Sequence, residues 1–552
     1  MKKHNGMRKA TAFALALAMT AGLFVPGTQA EAGEEKETLT IGLAQNSNVE
    51  DYETNYLTQL IEQECNVNLE FVYLPSAVDD AKSKFAIMAS SNTTLPDVVV
   101  VANNQFTDLE IADYGSKGIF IPLNEYLENK DLAVNFSQIP EEDQEKMISA
   151  STSPDGNIYC LTQNTPEDWN MTPFRFWINK AWLEKLNLET PTTTDEFYEV
   201  MKAFVEQDPN GNGTADEIGI TGCTDGWGCN PAYYIMNSFV FYNGDQSNGG
   251  LALDEDGTKV TAPFASEGWK AGLEYMNKLC SEGILSPAMF TQDATQFTSV
   301  LSNETQITGS CAAGGFGYWS GAQENANFQE MELLAPLKGP EGIAYAAYNE
   351  YTPTPAYLIT KDCKNPELAF KVGDFFYRND VSLTVRYGEE GVDWTTDAEK
   401  CKEYKGLYED LWDIPCSLVQ LNTVWSSVQN KHWYNVGPRY TSLEDYRGIN
   451  SDQMAGSDAV DYTSLTRQQS AEYYMEAHPE KVLPVLKYTN DEAEKLAEIQ
   501  ENVLTYVKQS LAEFVTGNRP LSDWDNYLSD LENMGLQEWL DVAQTAYDRI
   551  EK

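Results

Sequence analysis

Leu39-Thr-Ile-Gly-Leu-Ala44, Leu69-Glu-Phe-Val-Tyr-Leu74 and Val98-Val-Val-Val-Ala102 are the runs on which the fold turns. Between the first two, Tyr56, Leu57, Leu60 and Ile61 recur at helical spacing. After Pro75 stops the second run, residues 77–90 predict another helix. The third run is apolar without alternation, as in a strand covered on both faces. Strand, helix, strand, helix, strand in so short a stretch predicts an open α/β sheet. Ligands of such sheets bind beyond the carboxyl ends of the strands. Those ends carry Gln45-Asn46-Ser47 and Asn103-Asn104-Gln105, so Asn46 and Asn103 are candidate ligand contacts, or simply turn formers.

Working outward, a second α/β unit begins near Phe174-Arg-Phe-Trp-Ile-Asn179 and runs to the turn Gly339-Pro-Glu-Gly342. Thr193 and Glu196 form a capping box ahead of a helix striped by Phe197, Val200, Met201 and Phe204. The C-terminal quarter reads as helical. There Thr489 and Glu492 form another capping box, and Leu496, Ile499, Val503, Val507 and Phe514 mark one helix face. At the other end, Lys2, Lys3, Arg8 and Lys9 precede an apolar stretch from Thr11 to Val25 and small residues at Thr28-Gln29-Ala30. Residues 1–30 are therefore expected to be a signal peptide, too short to span a bilayer, and the protein to be exported. No Cys stands directly after the apolar run, the first being Cys65, so no lipid anchor is expected.

Composition narrows the partners. The 552 residues carry 85 acidic and 37 basic side chains, a net charge of −48, which argues against nucleic acid and against an anionic membrane face. An apolar fraction of 42 % separates the chain from disordered acidic proteins. Three histidines leave little scope for His-based catalysis or His-rich metal sites. The nine cysteines include no C-x-x-C pair; Cys223 and Cys229 are close enough to bridge a loop, or are buried thiols. G-x-S-x-G, Walker A and H-E-x-x-H motifs are absent, and Gly315-Phe-Gly317 lacks the third glycine of a dinucleotide loop. A glycosidase needs two carboxyls about 5–9.5 Å apart, a separation no sequence displays.

One motif has a sharp chemical reading. In Asp208-Pro-Asn-Gly-Asn-Gly-Thr-Ala-Asp-Glu217, side-chain oxygens of Asp208, Asn210 and Asn212 fall at loop positions 1, 3 and 5. Gly213 stands at 6, the Thr214 carbonyl at 7 and Asp216 at 9. Alternating hard oxygens around a tight glycine turn suit calcium. Position 12 is Gly219 rather than Glu, so this is no EF-hand, and Glu217 must complete the shell. The alternative is a solvated Asn-Gly turn.

Taken together, Leu95-Pro-Asp-Val98, Asp155-Gly-Asn-Ile-Tyr159, Ile178-Asn-Lys-Ala-Trp-Leu-Glu-Lys-Leu186, the 208–217 loop, Asn365-Pro-Glu-Leu-Ala369, Tyr387-Gly-Glu-Glu-Gly-Val-Asp-Trp394, Phe514-Val-Thr-Gly517 and Gln544-Thr-Ala-Tyr-Asp-Arg549 occur in this order. In these segments the chain resembles the extracellular family 1 solute-binding proteins of carbohydrate ABC importers, the LplA and alginate-binding branch. The resemblance implies a two-lobed periplasmic-binding-protein fold of type II, α/β, with a hinge between lobes and a helical C-terminus. It assigns 35–165 and 345–400 to lobe 1, and 166–344 and 401–552 to lobe 2. It implies a non-enzymatic, monomeric receptor that captures an oligosaccharide between the lobes for membrane permease subunits, and calcium in the 208–217 loop. Gly317-Tyr318-Trp319-Ser320 is similar to a segment that places a Trp under a sugar ring, so Trp319 and Tyr318 become candidate contacts. Trp227, Trp425 and Trp433 are further aromatic candidates, because sugar C–H faces pack on flat rings. Gln163, Asn349, Glu350 and Tyr351 lie near the expected lobe crossings. A secreted carbohydrate-active enzyme and a peptide receptor on the same fold stay open.

Overall fold

The computed structural model describes residues 36–91, 93–101, 105–244, 248–320, 324–422, 424, 428–450 and 462–550. The expected signal peptide, Asn103 and Trp425 lie outside the described residues.

The expected open sheet is present. Glu37–Ala44 pairs in parallel with Val67–Leu74 on one side and Val98–Val100 on the other. Tyr56–Glu64 and Val78–Ser90 are the intervening helices. Thr354–Ile359 then enters antiparallel between Val98–Val100 and Cys160–Asn164, which gives the type II arrangement. The short strand Arg439–Tyr440 completes a six-stranded sheet by pairing in parallel with Gln163 and Asn164. The valines at 98–100 are fully buried, with apolar side chains packed on both faces of the strand. This is the covered environment their unalternating pattern predicts.

The second lobe is built on a four-stranded sheet in the order Met331–Leu333, Phe176–Asn179, Thr308–Ala312, Ile218–Thr221. The helix Thr194–Glu206 starts on its capping box and buries Phe197, Val200, Met201 and Phe204. Each such side chain contributes roughly 1.5–3 kcal/mol by leaving water. The same core receives the long helix Asn490–Thr516, capped by Thr489 and Glu492 and ended by Gly517 at φ +76°. Leu496, Val503, Val507 and Phe514 are buried on it, and Ile499 is half-buried.

One expectation is corrected. Residues 401–552 do not all belong to lobe 2, because the 429–440 segment packs on lobe 1. Gln429 bridges to Val49, Trp433 lies in the lobe 1 core, and Arg439–Tyr440 is that sheet's edge. The C-terminal region is helical as expected, and ahead of its long helix Leu418–Gln420 and Ile449–Asn450 join Trp394–Thr395 in a small third sheet.

Candidate functional site

The chain passes between the lobes at 165–174 and again at 346–353, and these crossings frame the candidate cleft. A polar recess of about 350 Å³ opens there between Gln163, Glu167, Asn170, Tyr351, Arg386 and Arg439. Its walls are held by hydrogen bonds. The Gln163 amide donates to Thr354 Oγ1 at 2.7 Å, and the Tyr351 hydroxyl donates to the Gln163 carbonyl at 3.1 Å. That hydroxyl also accepts the Thr165 N–H at 2.8 Å. Arg386 forms an ion pair with Glu167 and donates from Nε to the Tyr387 hydroxyl at 3.0 Å. Arg439 donates from Nη1 to the Asn435 carbonyl at 2.9 Å, but its Nε is buried without a partner among the described residues. Burial, with Arg386 nearby, pushes the Arg439 guanidinium down to about 9.

An aromatic wall adjoins this recess through the short helix Asp168–Met171. The Trp169 ring is 6.5 Å from Trp227 and 5.6 Å from Phe316, centroid to centroid. Arg175 stacks on Trp169 at 3.3 Å and donates to the Trp169 and Gly314 carbonyls and to Ser470 Oγ, so the indole is fixed from behind. Trp227 is 37 % exposed and is the open face of the wall. Arg447 binds Asp168 with two hydrogen bonds, at 2.9 and 2.6 Å, and anchors the short helix. Five of the nine arginines (Arg175, Arg386, Arg439, Arg447 and Arg467) thus gather at the lobe crossings of a strongly acidic chain.

The residues singled out in the sequence fall into three groups. Gln163 lines the polar recess, and Trp227 is part exposed beside the Trp169 ring, its carbonyl accepting the Tyr318 hydroxyl at 3.4 Å. Glu350 is exposed near the crossing, and Asn46 lines a separate polar recess of about 770 Å³ with Asp51, Tyr52 and Tyr73. Asn46 Oδ1 there accepts the Asn48 N–H at 2.9 Å, the hydrogen bond of a turn former. Trp319 and Trp433 are corrected, since each is 1 % exposed. Trp319 packs between Trp177 and Phe328 in the lobe 2 core, 5.1 and 5.5 Å away. Trp433 packs edge-on to Phe71 and donates to Thr58 Oγ1 at 2.8 Å. Missed altogether were Trp169, Phe316, Glu167, Arg386 and Arg439. The sequence signal available for the arginines was their scarcity, since so few in an acidic chain are disproportionately placed where charge must be held.

The 208–217 loop follows the Thr194–Glu206 helix. Asp208 accepts the N–H groups of Gly211 and Gly213 at 2.9 and 3.1 Å, and Asn210 Oδ1 accepts that of Asn212 at 2.9 Å. The Asn210 and Asn212 amides turn inward onto Asp216. Gly213 has φ +76°, a conformation that favours glycine. Glu217 Oε1 is buried without a partner among the described residues. An orphaned buried carboxylate oxygen beside a ring of oxygen ligands fits a hard cation. Among the described residues no three His, Cys, Asp or Glu side chains form a group that could hold a metal ion, so Asp208, Asp216 and Glu217 are not gathered into one in this structure.

A family model of the bacterial extracellular solute-binding proteins matches residues 47–382. The fructooligosaccharide ABC transporter substrate-binding protein FusA of Streptococcus pneumoniae is 25 % identical over 94 % of this chain and 91 % of its own length. A structure of a FusA EF-hand mutant in complex with fructo-nystose superposes with a TM-score of 0.72 at 23 % identity, over 93 % of this chain and 99 % of that one. An HMO-binding, ABC-transporter-associated solute-binding protein of Bifidobacterium longum infantis gives 0.73 at 20 % identity, over 93 % and 99 %. Alginate-binding protein AlgQ2 without calcium ion gives 0.63 at 21 % identity, over 93 % and 98 %.

Proposed function

The chain belongs to the bacterial extracellular solute-binding proteins, and on that premise we propose that it is the substrate-binding component of an ABC importer. It captures an oligosaccharide between its lobes and delivers it to membrane permease subunits. The observation that carries this reading is the junction of the polar recess with the Trp169–Trp227–Phe316 wall at the lobe crossings. Sugar hydroxyls need donors and acceptors in fixed directions, which Gln163, Glu167, Asn170 and Arg386 supply. Sugar C–H faces need flat rings, which Trp227 and its neighbours supply. The relatives are binding proteins, and binding without turnover requires only that the lobes close on the ligand.

The same reading assigns calcium to the 208–217 loop. Asp208, Asn210, Asn212, Asp216 and Glu217 would hold the ion with the Thr214 carbonyl. The role is to fix the turn between the 194–206 helix and the 218–221 strand, away from the cleft. Support comes from the orphaned Glu217 oxygen and from the EF-hand named for FusA.

The test is calorimetric titration with fructo-oligosaccharides, milk oligosaccharides and uronate oligomers, with product analysis of each mixture. Saturable stoichiometric binding without hydrolysis is expected, accompanied by a smaller radius of gyration in X-ray scattering. Continuous release of shorter sugars would make the protein an enzyme and overturn the reading.

A further inference from the structure

The loop that carries Trp227 is closed at its mouth by two cysteines. Cys223 and Cys229 are both fully buried, and the Cys223 N–H donates to the Cys229 carbonyl at 2.9 Å. A backbone hydrogen bond of that kind holds two main chains at the spacing of paired strands, within the roughly 4.4–6.8 Å between Cα atoms that a disulfide spans. The side chains converge as well. A Cβ built on Gly226 would lie 2.7 Å from the Cys229 sulfur and 2.9 Å from the Cys223 sulfur. Cys229 sits beside the Cys223 sulfur and holds the Cys223 thiol below its ordinary value, while burial raises that of Cys229. The pair thus has one thiol suited to attack and one suited to follow.

The rest of the loop has little freedom. A Cβ on Gly222 would stand 2.2 Å from the Cys229 carbonyl oxygen, and one on Gly228 would stand 2.1 Å from that of Pro173. The Trp227 carbonyl accepts the Gly314 N–H at 2.9 Å. Between these fixed points the Trp227 indole is part exposed, its ring 6.5 Å from that of Trp169 at the lobe crossing.

We infer that Cys223 and Cys229 form a disulfide that clamps the Trp227 loop and pre-organises its indole for ligand. The clamp's effect on binding rests on the reading of the cleft given above; the covalent bond does not. The oxidant is a disulfide, carried by a dithiol oxidoreductase or a small thiol pair, acting while the chain folds outside the cytoplasm. The Cys223 thiolate attacks one sulfur of that disulfide, forming a mixed disulfide and releasing a thiolate. Cys229, having given up its proton, attacks the Cys223 sulfur and releases the second thiolate. Two protons and two electrons leave the protein, and one disulfide is reduced to two thiols.

The purified full chain, refolded with oxidised and reduced glutathione, is denatured in iodoacetamide without reductant and mapped by mass spectrometry. The expected result is a cross-linked peptide joining 223 to 229, lighter by two hydrogen atoms, that takes up two alkyl groups only after reduction. Alkylation of both residues without reduction would overturn the bond. The second arm titrates the oxidised protein, the protein reduced by a phosphine, and a Cys223→Ser/Cys229→Ser variant with the same oligosaccharide panel. Reduction is expected to weaken the tightest binder roughly two- to tenfold, the effect of releasing one immobilised side chain, and to leave the variant unchanged. Equal affinity in both redox states, with the cross-link demonstrated, would refute the pre-organisation and spare the disulfide. A panel that binds in neither state would count against the cleft reading alone.

Discussion

His432 sets a pH limit on the first lobe. Its ring is fully buried, and Nδ1 accepts the Asn435 N–H at 3.3 Å, so the neutral ring carries its proton on Nε2. Burial first, and then the like charges of Arg439 and Arg386, lower its pKa from 6.5 to about 3. The unfolded chain takes up this proton near pH 6.5 and the folded chain only near 3, so the contribution is complete above 6.5 and declines as pH falls through that window. Between pH 7 and pH 5 the linkage relation gives a loss of about 2 kcal/mol. Many carboxylates titrate in the same range, so the wild type alone is uninformative. The comparison is with His432→Asn, whose Oδ1 can replace the acceptor and which does not titrate. Urea denaturation of both proteins at the two pH values, followed by tryptophan fluorescence, should show the wild type losing about 2 kcal/mol relative to the variant on acidification. A stability gap that is the same at both pH values would refute the reasoning.

Four other perturbations probe binding, folding and the contact between the lobes. Trp227→Ala should weaken oligosaccharide binding by roughly 1–3 kcal/mol in calorimetry with little change in melting. Trp319→Ala should instead cost roughly 3–5 kcal/mol of stability in denaturant titration, as for an emptied core site. Asp208→Ala should melt lower and cease to respond to calcium, whereas wild-type melting indifferent to calcium and chelator would return the loop to a plain turn. Lys487 donates to the carbonyls of Ala150 and Thr152 at 2.7 and 3.1 Å, joining the lobe 2 segment before the long helix to the end of a lobe 1 helix. Lys487→Met should therefore enlarge the ligand-free radius of gyration in scattering, and an unchanged radius would deny Lys487 a part in holding the lobes.

What the sequence reveals depends on how local its cause is. The strands between residues 37 and 100 and both capping boxes are legible because each depends on neighbours a few residues away. Arg439–Tyr440 is not, since two polar residues carry no periodicity and become a strand only when Gln163 and Asn164 are beside them. The cleft has the same difficulty. Tyr318 and Trp319 are adjacent aromatics, and only the packing of Trp177 and Phe328 decides that Trp319 is core. Trp169 carries no local signal, because its place is fixed by Arg175 stacked behind it. The turn at 208–217 is legible because its causes are local: the Gly211 and Gly213 N–H groups both donate to Asp208.

The six-stranded sheet takes strands from 37–100, from 160–164, from 354–359 and finally from 439–440. Its middle strand therefore cannot pair until more than half the chain has been made, and its edge cannot be laid until most of it has. A nascent chain pays the loop-closure cost of these distant pairings late, so the N-terminal lobe has no early native refuge. Such a chain spends its synthesis without a completed first lobe, a state suited to being threaded through a narrow channel before it folds.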